Sequence, residues 1–73
     1  MNRSTFQRAC AALWGPYYQS EAARELHMAR RSVYRYDTGE RDIPQTAWEG
    51  LAEKLIERRK EIDRILAKLP VST

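Results

Sequence analysis

The stretch Ala29-Arg30-Arg31-Ser32-Val33-Tyr34-Arg35-Tyr36 decides how the chain is read. It carries three arginines, two tyrosines and no acid. At ~100° per residue, Arg30, Tyr34, Arg31 and Arg35 fall within an arc of about 140° of a helix. Val33, Tyr36 and Ala29 fall on the far side, at about 240° to 300°. One face is cationic and hydrogen-bonding; the other is apolar enough to bury. A helix of this kind packs on a small domain and presents arginines outward.

Downstream, Asp37-Thr38-Gly39-Glu40-Arg41-Asp42 reads as a polar loop, with Gly39 at a positive-φ turn position. Pro44, after Ile43, suits the first turn of a new helix. From Thr46 a helical pattern runs unbroken to Leu69, and Pro70 stops it. This helix is on the order of 35 Å long. Trp48, Leu55, Ile62 and Leu69 fall seven apart, with Leu51 and Ile65 at most of the alternate positions and Arg58 interrupting the seam. Ala52, Ile56 and Leu66 widen it. Opposite charges stand three apart at Lys54/Glu57, Glu57/Lys60, Arg58/Glu61, Glu61/Arg64 and Lys60/Asp63, each pair contributing roughly a few tenths of a kcal/mol. Trp48 to Leu55 is expected to close the core. Ile62, Ile65, Leu66 and Leu69 extend past what three short helices cover, so a partner is expected on them, most simply a second copy. The bland alternative is a helix that folds back or breaks near Arg58-Arg59-Lys60. Gly50 costs roughly 1 kcal/mol against alanine inside a helix; a close helix contact there would explain it. Val71-Ser72-Thr73 are expected to fray.

Upstream, Ser20 caps a second helix, or that helix starts one or two residues earlier with Gln19 in its first turn. Ala22, Ala23 and Leu26 give it a small-residue apolar face, and Met28 reads as a buried residue of the turn that follows. The first helix spans about residues 4–14, with Ser4 and Gln7 matching a capping box. Phe6, Ala9, Cys10 and Leu13 form its stripe, with Trp14 beside it, and Gly15-Pro16 ends it.

Seventy-three residues make one domain. Residues 1–45 would be its reading part and 46–69 its closing and dimerisation helix. No run approaches a membrane span and no signal-peptide pattern opens the chain, so the cytoplasm is the expected compartment. Cys10 is the sole cysteine and His27 the sole histidine, too few for a disulfide or a metal site without carboxylates. Cys10 reads as a small buried hydrophobe. No nucleophile–base set exists, so no catalytic residue, cofactor or small-molecule ligand is expected. The net charge is +3, all of it in residues 1–39, which hold six arginines against three acids. Residues 40–73 hold seven Lys/Arg against seven acids. Arg30, Arg31 and Arg35 equal the surplus. A basic cluster is most simply a solvated face, but an acid-free arginine segment interleaved with tyrosine suits bidentate contacts with phosphate or guanine.

The span Gln19 to Pro44 resembles the Cro/lambda-repressor-type helix-turn-helix family. Gln19-Ser20-Glu21-Ala22-Ala23-Arg24-Glu25-Leu26 is similar to its second helix. Ala29 to Gly39 is similar to its recognition helix with the trailing acid and glycine, and Ile43-Pro44 to the start of the next helix. The resemblance implies an all-α, lambda-repressor-like bundle of four to five helices with a long C-terminal dimerisation helix. It implies base contacts from Arg30, Arg31 and Arg35, with Gln19 on a phosphate; if the partner is DNA, Tyr34 is expected on a thymine methyl or a phosphate, and Ser20, Tyr18 and Ser32 on phosphates. Val33 and Tyr36 match its buried positions. The chain departs from the family at Ala29, where a capping Ser or Thr is usual, at Asp37, where glutamate is commoner, and near His27, where the usual glycine between the two helices is replaced. A narrower resemblance, through Ser20-Glu21-Ala22-Ala23, Tyr34 to Gly39 and Ile43-Pro44, is to small phage regulators encoded beside anti-CRISPR genes, dimeric autorepressors of their operon.

The expected function is therefore sequence-specific binding of double-stranded DNA by a homodimeric repressor on an inverted repeat. The alternative is an antitoxin or adaptor that binds another protein through its C-terminal helix. RNA binding is a third reading, since arginine and tyrosine serve both polymers.

Overall fold

The structure, a computed structural model, describes residues 3–70. The expected fraying of Val71-Ser72-Thr73 lies outside the described residues. Four helices follow in order: α1 (Arg3–Trp14), α2 (Gln19–Glu25), α3 (Arg30–Thr38) and α4 (Gln45–Lys68). They form the expected all-α bundle with a long last helix. None is long and apolar enough to cross a membrane, among the described residues.

Phe6 is the centre of the core. It is fully buried, and its ring meets Tyr36 of α3 edge-on at 5.9 Å and Trp48 of α4 edge-on at 6.1 Å. One α1 side chain thus ties three helices together through edge-to-face contacts, the arrangement that the quadrupoles of aromatic rings favour. Cys10, Leu13, Ala22, Ala23, Val33 and Leu51 complete the buried set, and Ala9, Trp14, Leu26, Met28, Ile43, Trp48 and Leu55 pack partly against it. The apolar stripes read on the first three helices, and the Trp48–Leu55 part of the one on α4, are the faces turned to this core. A Cβ at Gly50 would lie 2.9 Å from a methyl carbon of Leu26, the C-cap residue of α2, so the glycine leaves room for the end of that side chain.

Three of the helices end on a residue in the left-handed region. Gly15 (φ +87°) donates its N–H to Ala11 O at 2.8 Å. Gly39 (φ +83°) donates to Tyr36 O, and Glu40 to Arg35 O, the paired bonds of a Schellman motif. The same pair recurs after α2, where His27 donates to Arg24 O and Met28 to Ala23 O, but here the left-handed residue is His27 itself at φ +54°. A residue with a Cβ in this region costs roughly 1–2 kcal/mol. Glycine there would give part of that back to unfolded-chain entropy. His27→Gly is therefore expected to stabilise the domain by about 0.5–1 kcal/mol, read as a higher urea midpoint at unchanged slope; a lower midpoint would mean that the imidazole makes contacts of its own.

Two local expectations are corrected, and one choice that the sequence left open is settled. The capping box of Ser4 and Gln7 does not form: α1 begins at Arg3, which puts Ser4 inside its first turn, and the Gln7 side-chain amide donates across to Asp37 O at 3.0 Å. α2 takes the earlier of its two possible starts, with Tyr18 as N-cap and Ser20 in the first turn. Ala29 is exposed rather than on the buried face, because it is the extended N-cap residue of α3 and not part of its helical surface. No side chain caps α3, as its sequence foretold.

α4 is continuous through Arg58-Arg59-Lys60, so the break considered above is absent. It runs in the same direction as α1: Phe6 meets Trp48, and further along Ala12 lies beside Leu55 and Ile56. α1 stops at Trp14, about level with Arg58, and α4 goes on alone. Every residue from Ile56 to Pro70 is exposed, and the molecule measures 45 × 22 × 19 Å. Of the foreseen charge pairs on α4, Glu61–Arg64 forms at 2.7 Å, whereas Lys54 turns to Glu25 of α2 at 4.0 Å.

Candidate nucleic-acid interface

α3 is held by one face and open on the other. Val33 and Tyr36 are buried. Arg30, Arg31 and Tyr34 are exposed, Tyr34 at 60%, and Arg35 is partly so. Among the described residues Arg30 and Arg31 enter no ion pair. By contrast, Arg24 of α2 is paired with Glu21 one turn earlier. Arg35 has Glu40 near it, the carboxylate 3.9 Å from Nε. At 3.9 Å that contact is an ion pair and not a hydrogen bond, so the guanidinium keeps its donors for paired bonds to guanine O6 and N7. Ser32 is half-buried at the margin of the same face.

What fixes α3 at its C-terminal end is a polar knot around Asp37. The Tyr18 hydroxyl donates to Asp37 Oδ1 at 2.6 Å, and Gln19 Nε2 donates to Oδ2 at 3.2 Å. The Asp37 carbonyl accepts from Gln7, and the next carbonyl, of Thr38, accepts from Arg3 Nη1 at 2.8 Å. A carboxylate in the last turn of a helix opposes the macrodipole. Here two side-chain donors hold it, and the guanidinium of Arg3 supplies positive charge at the helix end. α1 and α2 thereby grip the final turn of α3 from two sides. Every buried side-chain nitrogen and oxygen among the described residues has a partner.

This knot removes one residue from the expected phosphate set. Tyr18 is only 6% exposed and its hydroxyl is engaged by Asp37, so it is a core residue, not a surface contact. Burial first, and then the hydrogen bond to Asp37, hold its proton well above the ordinary tyrosine range, so it remains a donor. Its neighbour Tyr17 is 90% exposed, immediately before α2, and is the tyrosine on the surface that Tyr18 was expected to occupy. Two adjacent tyrosines before a short helix cannot both face the core. Nothing in the sequence said which one does until Asp37 was seen to need a donor. Gln19 is half-buried with its amide on Asp37, and Ser20 is exposed in the first turn of α2.

The remaining reactive group is inert. Cys10 is fully buried, and burial first, then the charge of Asp37, push its thiol up to about 12. A thiol in that state is neither nucleophile nor ligand near neutral pH. Among the described residues no group of His, Cys, Asp and Glu could hold a metal ion. The chemistry of the exposed face is therefore that of hydrogen-bond donation and positive charge.

No protein-family model, no curated protein and no solved structure matches the chain.

Asp37→Ala should show how far the knot secures the domain. It removes the acceptor of a buried tyrosine hydroxyl and of an amide, and hydrogen bonds to a charged acceptor contribute about 1.5–3 kcal/mol. Chemical denaturation is expected to show a loss of about 2 kcal/mol. A loss under half a kcal/mol would make the knot incidental.

Proposed function

We propose that the protein is a sequence-specific double-stranded DNA-binding regulator of the Cro/lambda-repressor type, acting as a homodimeric repressor on an inverted repeat. The observation that carries this reading is the outer face of α3. It presents Arg30, Arg31, Tyr34 and Arg35 together, leaves Arg30 and Arg31 unpaired among the described residues, and is backed by a buried face and the Asp37 knot. A rigid helix with free arginines at its outward edge suits the major groove, which admits one helix and offers guanine O6 and N7 as acceptors. α2 before it, joined by the short Leu26–Ala29 turn, has the place of the helix that crosses the backbone, with Gln19, Ser20 and the exposed Tyr17 as phosphate contacts. Ser32 is a further phosphate contact at the rim of α3.

The half-exposed Ile62, Ile65, Leu66 and Leu69 of α4 supply the dimer surface. Two copies would read half-sites about one helical turn apart, ~34 Å, or a multiple of it. Occlusion of a promoter is the simplest mode of action, and an autorepressor of a phage or mobile-element operon, working in the cytoplasm, is the role the narrower resemblance suggests. The same exposed α4 stripe also suits a different protein partner, as an antitoxin or adaptor would have. Sedimentation discriminates: a chain that stays monomeric and leaves duplex DNA unbound favours that second reading.

Arg31→Ala is expected to weaken binding to the cognate duplex by about 1–3 kcal/mol and to cost clearly less on random duplex. Titrations on both, at one fixed salt concentration, measure the two losses. Equal losses would make Arg31 a phosphate contact.

A further inference from the structure

The tail of α4 cannot pair with a second copy in just any direction. If the two tails lay parallel and in register, each residue would meet its own twin, and Arg58, which interrupts the seam, would face Arg58 of the partner subunit. Like charges in a seam are destabilising. The parallel arrangement also offers few apolar contacts, because Trp48 and Leu51 already pack inside their own subunit. Four side chains per chain are little against the roughly 20–30 residues a side that a stable interface takes.

A groove on the same surface meets both difficulties. It lies between α1 and α4, holds about 360 Å³, and is lined by Ala12, Leu55, Ile56, Arg58, Arg59 and Ile62. Resting on the homodimer reading, we propose that this groove receives the α4 tail of a second copy running antiparallel, with the two-fold axis at Ile62. In that register Ile62 meets its twin, Leu69 comes opposite Leu55, Leu66 opposite Arg58 and Ile65 opposite Arg59. The tail from Ile62 to Leu69 thus covers the segment from Leu55 to Ile62, the α4 segment that lines the groove. The aliphatic stems of Arg58 and Arg59 lie along the apolar tail, as long cationic side chains do. Their heads come beside the last turn of the partner's helix, the negative end of its macrodipole, where the final carbonyls lack intrahelical donors. Arginines that are a liability in the parallel pairing become complementary in the antiparallel one.

The register also sets a distance. Leu51, in the core, lies eleven residues from Ile62, so at ~1.5 Å per residue the two cores stand about 33 Å apart along the helix axes. That is close to one turn of duplex DNA, ~34 Å.

Disulfide trapping tests the arrangement. Single cysteines are placed at exposed positions of the full chain, with native Cys10 buried and unreactive as background. After mild oxidation, Ile62→Cys is expected to run at twice the monomer mass on a non-reducing gel. Leu69→Cys alone and Ala12→Cys alone should stay at monomer mass, whereas the two mixed together should link. Linking by Leu69→Cys alone would overturn the proposal in favour of parallel tails. Linking of Ile62→Cys without any Ala12–Leu69 product would show that the groove is not the receiver. A wild-type chain that sediments as a monomer at every concentration would instead remove the homodimer reading beneath it, and the groove would belong to a different protein.

Discussion

Replacing Ile62 and Leu69 together by glutamate is expected to leave a folded monomer that has lost most of its affinity for a duplex carrying two half-sites. Both positions are about half exposed and touch none of the buried set, so the core has no reason to respond. Their helix is already fixed further up by Leu51 and Ala47. Two carboxylates in an apolar seam would have to be desolvated for the dimer to form, and each would face its twin or another apolar residue. Loss of the second reading head turns a bivalent contact into a univalent one, which removes a factor of about 10²–10⁴ without altering a single DNA contact. Thermal melting should be nearly unchanged, sedimentation should give the monomer mass, and binding to an isolated half-site should survive. A dimer that persists would place the interface elsewhere.

Phe6→Ala is expected to be the most destabilising single change, by about 3–5 kcal/mol. Its ring is fully buried between Tyr36 and Trp48, so its loss opens a cavity at the junction of α1, α3 and α4. Native domains have only about 5–15 kcal/mol in all, and small ones lie near the bottom of that range. The variant should therefore be largely unfolded near its former melting temperature, seen as an early loss of helical circular dichroism. Because Phe6 holds Tyr36, the inner face of α3, DNA binding should fall with folding and recover on cooling. A variant as stable as the parent would mean that α3 and α4 hold together without α1.

Most of the architecture was legible in the sequence because helices announce themselves locally. Gly15 and Gly39 end α1 and α3 where left-handed residues were expected, Pro44 stands just before α4 as its extended N-cap instead of in its first turn, and the spacing of Phe6, Cys10 and Leu13 gave the buried face of α1. The outward set on α3 followed from rotation alone, since Val33 and Tyr36 could not be buried without turning Arg30, Arg31 and Tyr34 outward. Apart from Ala29 and Pro44, whose places at N-caps are a local matter, the misses are long-range. Gln7 was assigned to Ser4, three residues away, when its partner is Asp37, thirty residues on. Tyr18 was placed on the surface as a phosphate contact, whereas its hydroxyl has its acceptor in the same Asp37. The likeness to a known recognition helix drew attention to the identity of that acid, but not to the donors it gathers. His27 illustrates the intermediate case. The missing glycine marked the position as unusual, and the backbone there kept the left-handed geometry with a histidine in it.

Selection of binding sites from random duplex DNA, followed by sequencing, tests the central claim most directly. The arginine face of α3 predicts an enriched inverted repeat, with guanines in each half-site and half-site centres about one helical turn apart, ~34 Å. Enrichment of no motif from a folded, purified chain would contradict it.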